Sequence, residues 1–249
     1  MRNVGIDIGS RTIELIVVEG GEVIESKQAD SGFDPMTQAG ALLEGVGYDH
    51  ITATGYGRHL FELALDVPTV TEIKAYAVGA NALFPDVQTI LDIGGQDSKA
   101  ISLNGSGKVA KFEMNDRCAA GTGKFLEIMA HTLGYSLDQF GVGALEAKNG
   151  MQISSMCTVF AESEVTSLVA RGEDRRDIAL GLHRSVVQRA LSMLKRVTVK
   201  EPILFAGGVA RNPCIRLLLE ETLGANILVP ENPQMVGALG AAILGGKSG

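Results

Sequence analysis

Two cysteines stand in unusual company. Cys118 lies in NDRCAAGTGKFLE (115–127) and Cys157 in SSMCTVFAESEV (154–165). The first stretch looks like half of a phosphate loop, but a Walker A loop needs Gly, four residues, then Gly-Lys-Ser/Thr. Cys118 replaces the first glycine, and Phe125 stands where the metal-binding hydroxyl belongs. The phosphate-loop reading fails. Each cysteine precedes a helical pattern, GKFLEIMAHTLG after Cys118 and VFAESEVTSLVARG after Cys157. A thiolate at a helix N-terminus gains from the partial positive charge and free N–H groups there. The same setting suits an anionic iron–sulfur cluster. A cubane needs four thiolates; one chain offers two, so a twofold dimer would supply four about one axis. The plain alternative is that these are small buried hydrophobes, as most free cysteines are, and that is how Cys214 reads.

A second kind of chemistry comes from a repeat. GIDIGSRTIELIVVEGGEVI (5–24) and ILDIGGQDSKAISLNGSGKV (90–109) align at a constant offset of 85, which puts Asp7 on Asp92, Gly9 on Gly94, Ile16 on Ile101 and Gly20 on Gly105. Each copy reads as apolar strand, Asp-Ile-Gly, polar turn, second strand and Gly-containing hairpin turn. Glycine permits close backbone approach, so the N–H groups of Ser10-Arg11-Thr12 and Gly95-Gln96-Asp97 could meet phosphates from both sides. Asp7 and Asp92 could each hold Mg²⁺ through water, because Mg²⁺ keeps most of its waters. Taken singly, each copy is equally an ordinary hairpin. Duplication implies two related lobes.

The remaining elements must position these turns. ILFAGGVARNPCI (203–215) is a third Gly-rich turn between a buried strand and a helix, where Gly207 and Gly208 would leave room for a nucleoside. TEIKAYAVGANAL (71–83) and PQMVGALGAAIL (233–244) are helices with small residues four apart, Ala75/Gly79 and Gly237/Ala241. Such spacing lets helix backbones approach closely and suits a hinge. The histidines, His50, His59, His131 and His183, have no metal-ligand spacing and are expected at partly exposed positions.

Composition sets the outer bounds. The chain has 249 residues, 45% of them hydrophobic and 20% charged, with a net charge of −7. That size suits one large domain or two joined lobes, and an acidic balance gives no footprint for nucleic acid or anionic membrane. No apolar run reaches the ~18 residues of a membrane span. The start, MRNVGIDIGS, enters a strand with no signal-peptide pattern. Three cysteines are too few for a disulfide framework. The expectation is a cytoplasmic α/β protein.

Phosphate-1, connect-1, phosphate-2, adenosine and connect-2 segments in this order resemble the superfamily of actin, sugar kinases and heat-shock chaperones. The resemblance implies an actin-like ATPase fold, ribonuclease H-like and duplicated in two lobes with ATP in the cleft. Lobe I would comprise 1–87 plus 235–249, and lobe II 88–234. More narrowly, the two cysteine motifs with TGYGR (54–58), DIGGQDSKAI (92–101) and FAGGVARNPCI (205–215) resemble the activator ATPases of 2-hydroxyacyl-CoA dehydratases and benzoyl-CoA reductases.

That resemblance implies a homodimer holding one 4Fe-4S cluster between subunits, with Cys118 and Cys157 of each chain as ligands. ATP would drive a low-potential electron into a dehydratase or reductase iron–sulfur protein, and ferredoxin or flavodoxin would be the donor. Nucleotide contacts carry to Gly9, Ser10, Arg11, Thr12, Gly94, Gly95, Gln96, Gly207, Gly208 and Gln234. Catalytic work carries to Asp7, Asp92, Gln96 and Asp97, with Asp7 and Asp92 reaching Mg²⁺ through water. One position departs: many members have a lysine shortly after the first phosphate turn, where this chain has Glu14, and Arg11 is the expected substitute for its charge. The other functional classes are a small-molecule kinase of the same superfamily, for which the chain has little room, and a nucleotide-binding regulator without turnover, which Glu14 would suit.

Overall fold

The two Asp-Ile-Gly stretches fold alike. In the computed structural model, which describes residues 1–154 and 157–246, β1 (Arg2–Ile8) turns back antiparallel into β2 (Thr12–Glu19) and so pairs Asp7 with Glu14. The second hairpin, β5 (Thr89–Ile93) and β6 (Ser98–Leu103), pairs Asp92 with Lys99. Each hairpin extends to an exposed edge strand, β3 (Glu22–Asp30) beside β2 and β7 (Val109–Asn115) beside β6. A parallel strand flanks each Asp-bearing strand on the other side: β4 (His50–Thr54) beside β1, and β8 (Ile203–Ala206) beside β5. The short β9 (Ile227–Leu228) completes a five-stranded second sheet.

Helices cover both faces of both sheets. Outside the first sheet lie α1 (Pro35–Leu43) and α2 (Arg58–Leu65), whose Ala39, Leu42 and Phe61 meet Ile6, Ile8 and Leu15. Outside the second lie α4 (Gly123–Thr132), α5 (Leu137–Leu145), α6 (Thr158–Ala170), α7 (Arg175–Leu194) and α8 (Pro213–Leu223), in the largest core. Between the sheets run α3 (Glu72–Leu83) and α9 (Val236–Gly245). α3 lays Tyr76, Ala77 and Ala80 on Ile90, Ile101 and Leu204 of the second sheet. α9 lays Ala238, Leu239 and Ala242 on Ile16 and Val18 of the first.

These inner helices touch through main chain. A Cβ on Gly79 would overlap the Val236 carbonyl, and one on Gly240 would overlap the Ala75 carbonyl. Small residues thus let six layers stack, at Ala75 and Gly79 as expected on α3 but at Gly240 rather than Gly237 and Ala241 on α9. Gly40 is different: it lies in α1 and has open space around it.

The contrast is measurable. Gly240→Ala must push two backbones apart and is expected to cost roughly 2 kcal/mol or more. Gly40→Ala should add about 0.5–1 kcal/mol by helix propensity alone. Urea denaturation of both variants checks the pair; equal effects would mean that the α3–α9 contact is not tight.

Candidate functional site

The turns of the two hairpins close identically. The Gly9 N–H donates to the Thr12 carbonyl at 3.1 Å, and the Gly94 N–H to the Asp97 carbonyl at 3.0 Å. Their tips meet across a cleft of about 1600 Å³, larger than the ~300–1,000 Å³ usual for a ligand site. A Cβ on Gly95 would stand 2.8 Å from the Arg11 Cβ and 3.5 Å from Ser10 Oγ. Gln96 is exposed beside them, and Asp97 is half-buried.

Each aspartate sits under a glycine of left-handed backbone. Gly55, with φ +90°, follows β4, and Gly207, with φ +82°, follows β8. A Cβ on Gly55 would strike the Asp7 carboxylate, and one on Gly207 the Asp92 carboxylate. Gly237 packs on Asp7 from α9 in the same way. TGYGR is thus the first-sheet counterpart of the FAGG turn, an equivalence that sequence reasoning missed. The usable signal was an apolar strand ending in Thr-Gly or Ala-Gly.

Gly207 and Gly208 line the same cleft as the two hairpin turns, together with Arg211 and Asn212. Gln234 reaches back from ahead of α9: its Nε2 donates to Thr12 Oγ1 at 3.1 Å and to Glu14 Oε1 at 3.3 Å. Every residue expected to meet nucleotide, from Gly9 to Gln234, therefore borders one cavity.

Four charged side chains are buried there: Asp7, Glu14, Asp92 and Lys99. Burial, reinforced by Glu14 and Glu72, pushes the Asp7 carboxyl well above its usual range. Burial also raises Glu14 to about 7, although hydrogen bonds from Thr12 and Gln28 oppose the shift. Asp92 is pushed only to about 6, because Lys99 counters its burial. Burial alone would lower the lysine; Asp92, Asp97 and Glu72 outweigh it and hold the ammonium well above its ordinary value. Lys99 and Glu72 were missed in the sequence, though Lys99 is the repeat mate of Glu14. Arg11 does not bring charge to this interior: its side chain is 62% exposed and lies 3.6 Å from Glu127 at the rim.

The residues fit a hydrated Mg²⁺. Asp92 Oδ1 is buried without a hydrogen-bond partner, at the strand end facing the glycine turns. An acceptor so placed costs about 1–3 kcal/mol unless something donates to it, and a metal-bound water does.

The cysteines occupy different settings. Cys157 is the exposed N-cap of α6. Cys118 is half-buried in the loop from β7 to α4, where Thr122 is the cap, so it is not itself at a helix end. Its carbonyl accepts from Asn115 Nδ2 at 2.8 Å. Ser155 and Met156 of the second motif lie outside the described residues, as do residues 247–249. Among the described residues no three His, Cys, Asp or Glu side chains are set to hold a metal.

The Cys118 loop is fastened to the second phosphate turn. The Gly123 N–H donates to the Gly94 carbonyl and the Lys124 N–H to the Gly95 carbonyl, both at 2.8 Å. Ser98 Oγ donates to the Gly121 carbonyl at 3.0 Å.

Two residues have structural explanations. Cys214 is fully buried in the main core, and burial lifts its thiol to about 12. His183 corrects the expectation of partial exposure: it is fully buried, and burial lowers it to about 4. The neutral ring joins the Ala179 carbonyl to Asn212, the side chain that caps α8.

The Glu14 shift has a consequence for stability. Folding raises this carboxyl from 4.5 to about 7, so it costs nothing below pH 4.5. Stability is lost as pH rises to about 7 and is level above. Glu14→Gln keeps an acceptor for Gln28 and Gln234 and removes the charge. Its stability relative to wild type should improve by on the order of 3 kcal/mol between pH 4.5 and 7.5, read by urea denaturation at both values. A pH-independent difference would contradict a buried, ionising Glu14.

Known proteins close the case for the family. The sequence model of the BadF/BadG/BcrA/BcrD ATPase family matches residues 4–245. The chain is 38% identical over 252 aligned residues to a 2-hydroxyisocaproyl-CoA dehydratase activator of Clostridioides difficile, covering 98% of this chain and 94% of that protein. The crystal structure of (R)-2-hydroxyglutaryl-CoA dehydratase component A from Acidaminococcus fermentans superposes with a TM-score of 0.92 at 37% identity, covering 100% of this chain and 98% of that one. The activator of 2-hydroxyisocaproyl-CoA dehydratase from Clostridium difficile with bound ADPNP gives 0.90 at 35%, covering 100% and 95%. The fold is the duplicated actin-like ATPase fold, and the chain belongs to the BadF/BadG/BcrA/BcrD ATPase family.

Proposed function

We propose that this protein binds Mg-ATP between its two hairpin turns and spends its hydrolysis on moving one electron to a partner enzyme. The observation that carries the reading is the main-chain fastening of Gly94 and Gly95 to the start of α4, just beyond Cys118. It ties the place where a γ-phosphate would sit to the segment that carries a thiol. The ADPNP in a relative with TM-score 0.90 supports the nucleotide. The dehydratase activators and a benzoyl-CoA reductase subunit among its relatives support the partner: an iron–sulfur component of a 2-hydroxyacyl-CoA dehydratase or related CoA-ester reductase.

Ser10, Arg11, Thr12, Gly95 and Gln96 would contact phosphates, Gly207 and Gly208 the nucleoside, and Gln234 would hold Thr12 in register. Asp7 and Asp92 would meet Mg²⁺ through water, with Gln96 and Asp97 orienting the attacking water. Cys118 and Cys157 of two chains would hold one 4Fe-4S cluster, which supplies a low-potential one-electron couple. The exposed Val159 and Phe160 next to Cys157 give a second copy an apolar surface to cover. Residues 1–87 with 235–249, and 88–234, would be the two lobes that move against each other. Ferredoxin or flavodoxin in the cytoplasm would return the electron.

Two measurements test this. Anaerobically purified protein should carry about four irons per dimer. Cys118→Ser and Cys157→Ser should each abolish the iron, whereas Cys214→Ala should keep it. Full iron content in the Cys157→Ser protein overturns the cluster assignment. Asp7→Asn and Asp92→Asn should each slow ATP turnover on the order of 100-fold, as lost transition-state charge stabilisation commonly does. Normal turnover in both would remove the hairpins from the chemistry.

A further inference from the structure

Lys99 is the one lysine or arginine buried among the described residues. Its Nζ lies 2.6 Å from Asp97 Oδ2, 2.9 Å from Glu72 Oε2 and 3.1 Å from Asp92 Oδ2. It also sits 5.4 Å from the centre of the Tyr76 ring. The three carboxylates come from three places: the end of β5, the turn after it, and the first turn of α3. With the ammonium in place the three are not set to hold a metal, but carboxylate oxygens are the donor type that a hard divalent cation takes. Such ions bind oxygen at about 2.0–2.6 Å, so Glu72 and Asp92, at 2.9 and 3.1 Å, would have to close in by about 0.3–1.1 Å once the ammonium is gone.

Asp92 divides its two oxygens. Oδ2 is committed to the ammonium, while Oδ1 is buried and bare beneath Gly207. The mirror place in the first hairpin cannot work this way. There Glu14 faces Asp7 and takes its hydrogen bonds from Gln28, at 2.8 Å, and Gln234.

We propose that Lys99 is a resident counter-cation: it fills the Glu72–Asp92–Asp97 nest in place of a divalent ion, so that the divalent enters only with nucleotide phosphates, at the bare Oδ1 of Asp92. This rests on the Mg-nucleotide reading and refines it, by naming Asp92 as the principal metal-facing carboxylate and Lys99 as its positioning residue. The physical reason is the cost of uncompensated charge. One buried carboxylate with two half-buried ones beside it, left without a cation, would have to bind protons or capture a metal. A metal captured there would occupy the cleft whether or not ATP was present. A covalently tethered ammonium neutralises the nest and cannot dissociate, so occupancy by metal reports nucleotide.

The test is a gain of function. Free Mn²⁺ is counted by electron paramagnetic resonance with nucleotide-free, full-length protein. Wild type and Lys99→Arg should bind Mn²⁺ weakly. Lys99→Met should bind one Mn²⁺ per chain at least tenfold more tightly, and its melting temperature should rise with Mn²⁺ while that of wild type does not. Should Lys99→Met fail to fold without metal, refolding in Mn²⁺ should recover it, and Lys99→Gln, which retains a donor amide, gives the same comparison. Mn²⁺ binding by Lys99→Met and Lys99→Gln no tighter than wild type overturns the proposal. Equally tight Mn²⁺ binding by nucleotide-free wild type overturns it too. Absence of Mg-ADP binding to wild type, measured by calorimetry, would instead overturn the nucleotide reading.

Discussion

Two carboxylates, Asp7 and Asp92, end two strands that face each other across one cleft, and both are almost wholly buried. Burying like charges in this way is expensive, because each loses its water and repels the other. Much of the surrounding architecture offsets that cost. Positive-φ glycines give each carboxylate room. One lysine neutralises the Asp92 side, and amides from Gln28 and Gln234 satisfy Glu14 on the other. Such strain is tolerable only in a fold that over-determines it. A duplicated hairpin on each of two covered sheets does so.

The inner helix pair is where the two sheets are joined. α3 rests on the second sheet and α9 on the first, and they touch by backbone where Gly79 and Gly240 lack side chains. Glu72, at the head of α3, reaches the Lys99 ammonium, so the seam between the sheets and the charged centre of the cleft are one construction.

Much of this was legible in the residues, and the rest fails for identifiable reasons. The repeat at Asp7 and Asp92 announced two hairpins, and Ala75 and Gly79 announced the helix contact on α3; on α9 the contact falls at Gly240 rather than at the expected Gly237, which packs on Asp7. Gly55 escaped notice because its equivalence to Gly207 depends on a parallel strand, and register between distant strands is not written locally. Lys99 escaped because a lysine in an exposed-looking turn sequence acquires its role only when Glu72 arrives from another element. Arg11 looked like the natural source of charge for the first turn, yet a long side chain at a hairpin tip is drawn to solvent and to Glu127. His183 was expected at a partly exposed position, after the general habit of histidines; a pair of hydrogen bonds, to Ala179 and Asn212, offsets the cost of its burial.

The fastening of Gly94 and Gly95 to Gly123 and Lys124 is made of main chain on both sides. A joint of that kind has no side chain to lose, so drift in sequence can alter Lys124 freely and leave the linkage standing. The glycines are held instead: a Cβ on Gly123 would stand 3.0 Å from the Gly94 carbonyl oxygen, and one on Gly95 2.8 Å from the Arg11 Cβ. The connection between the second phosphate turn and the Cys118 loop therefore goes with the backbone path itself. Side chains of the turn and of the Cys118 loop could change separately and leave the two segments joined.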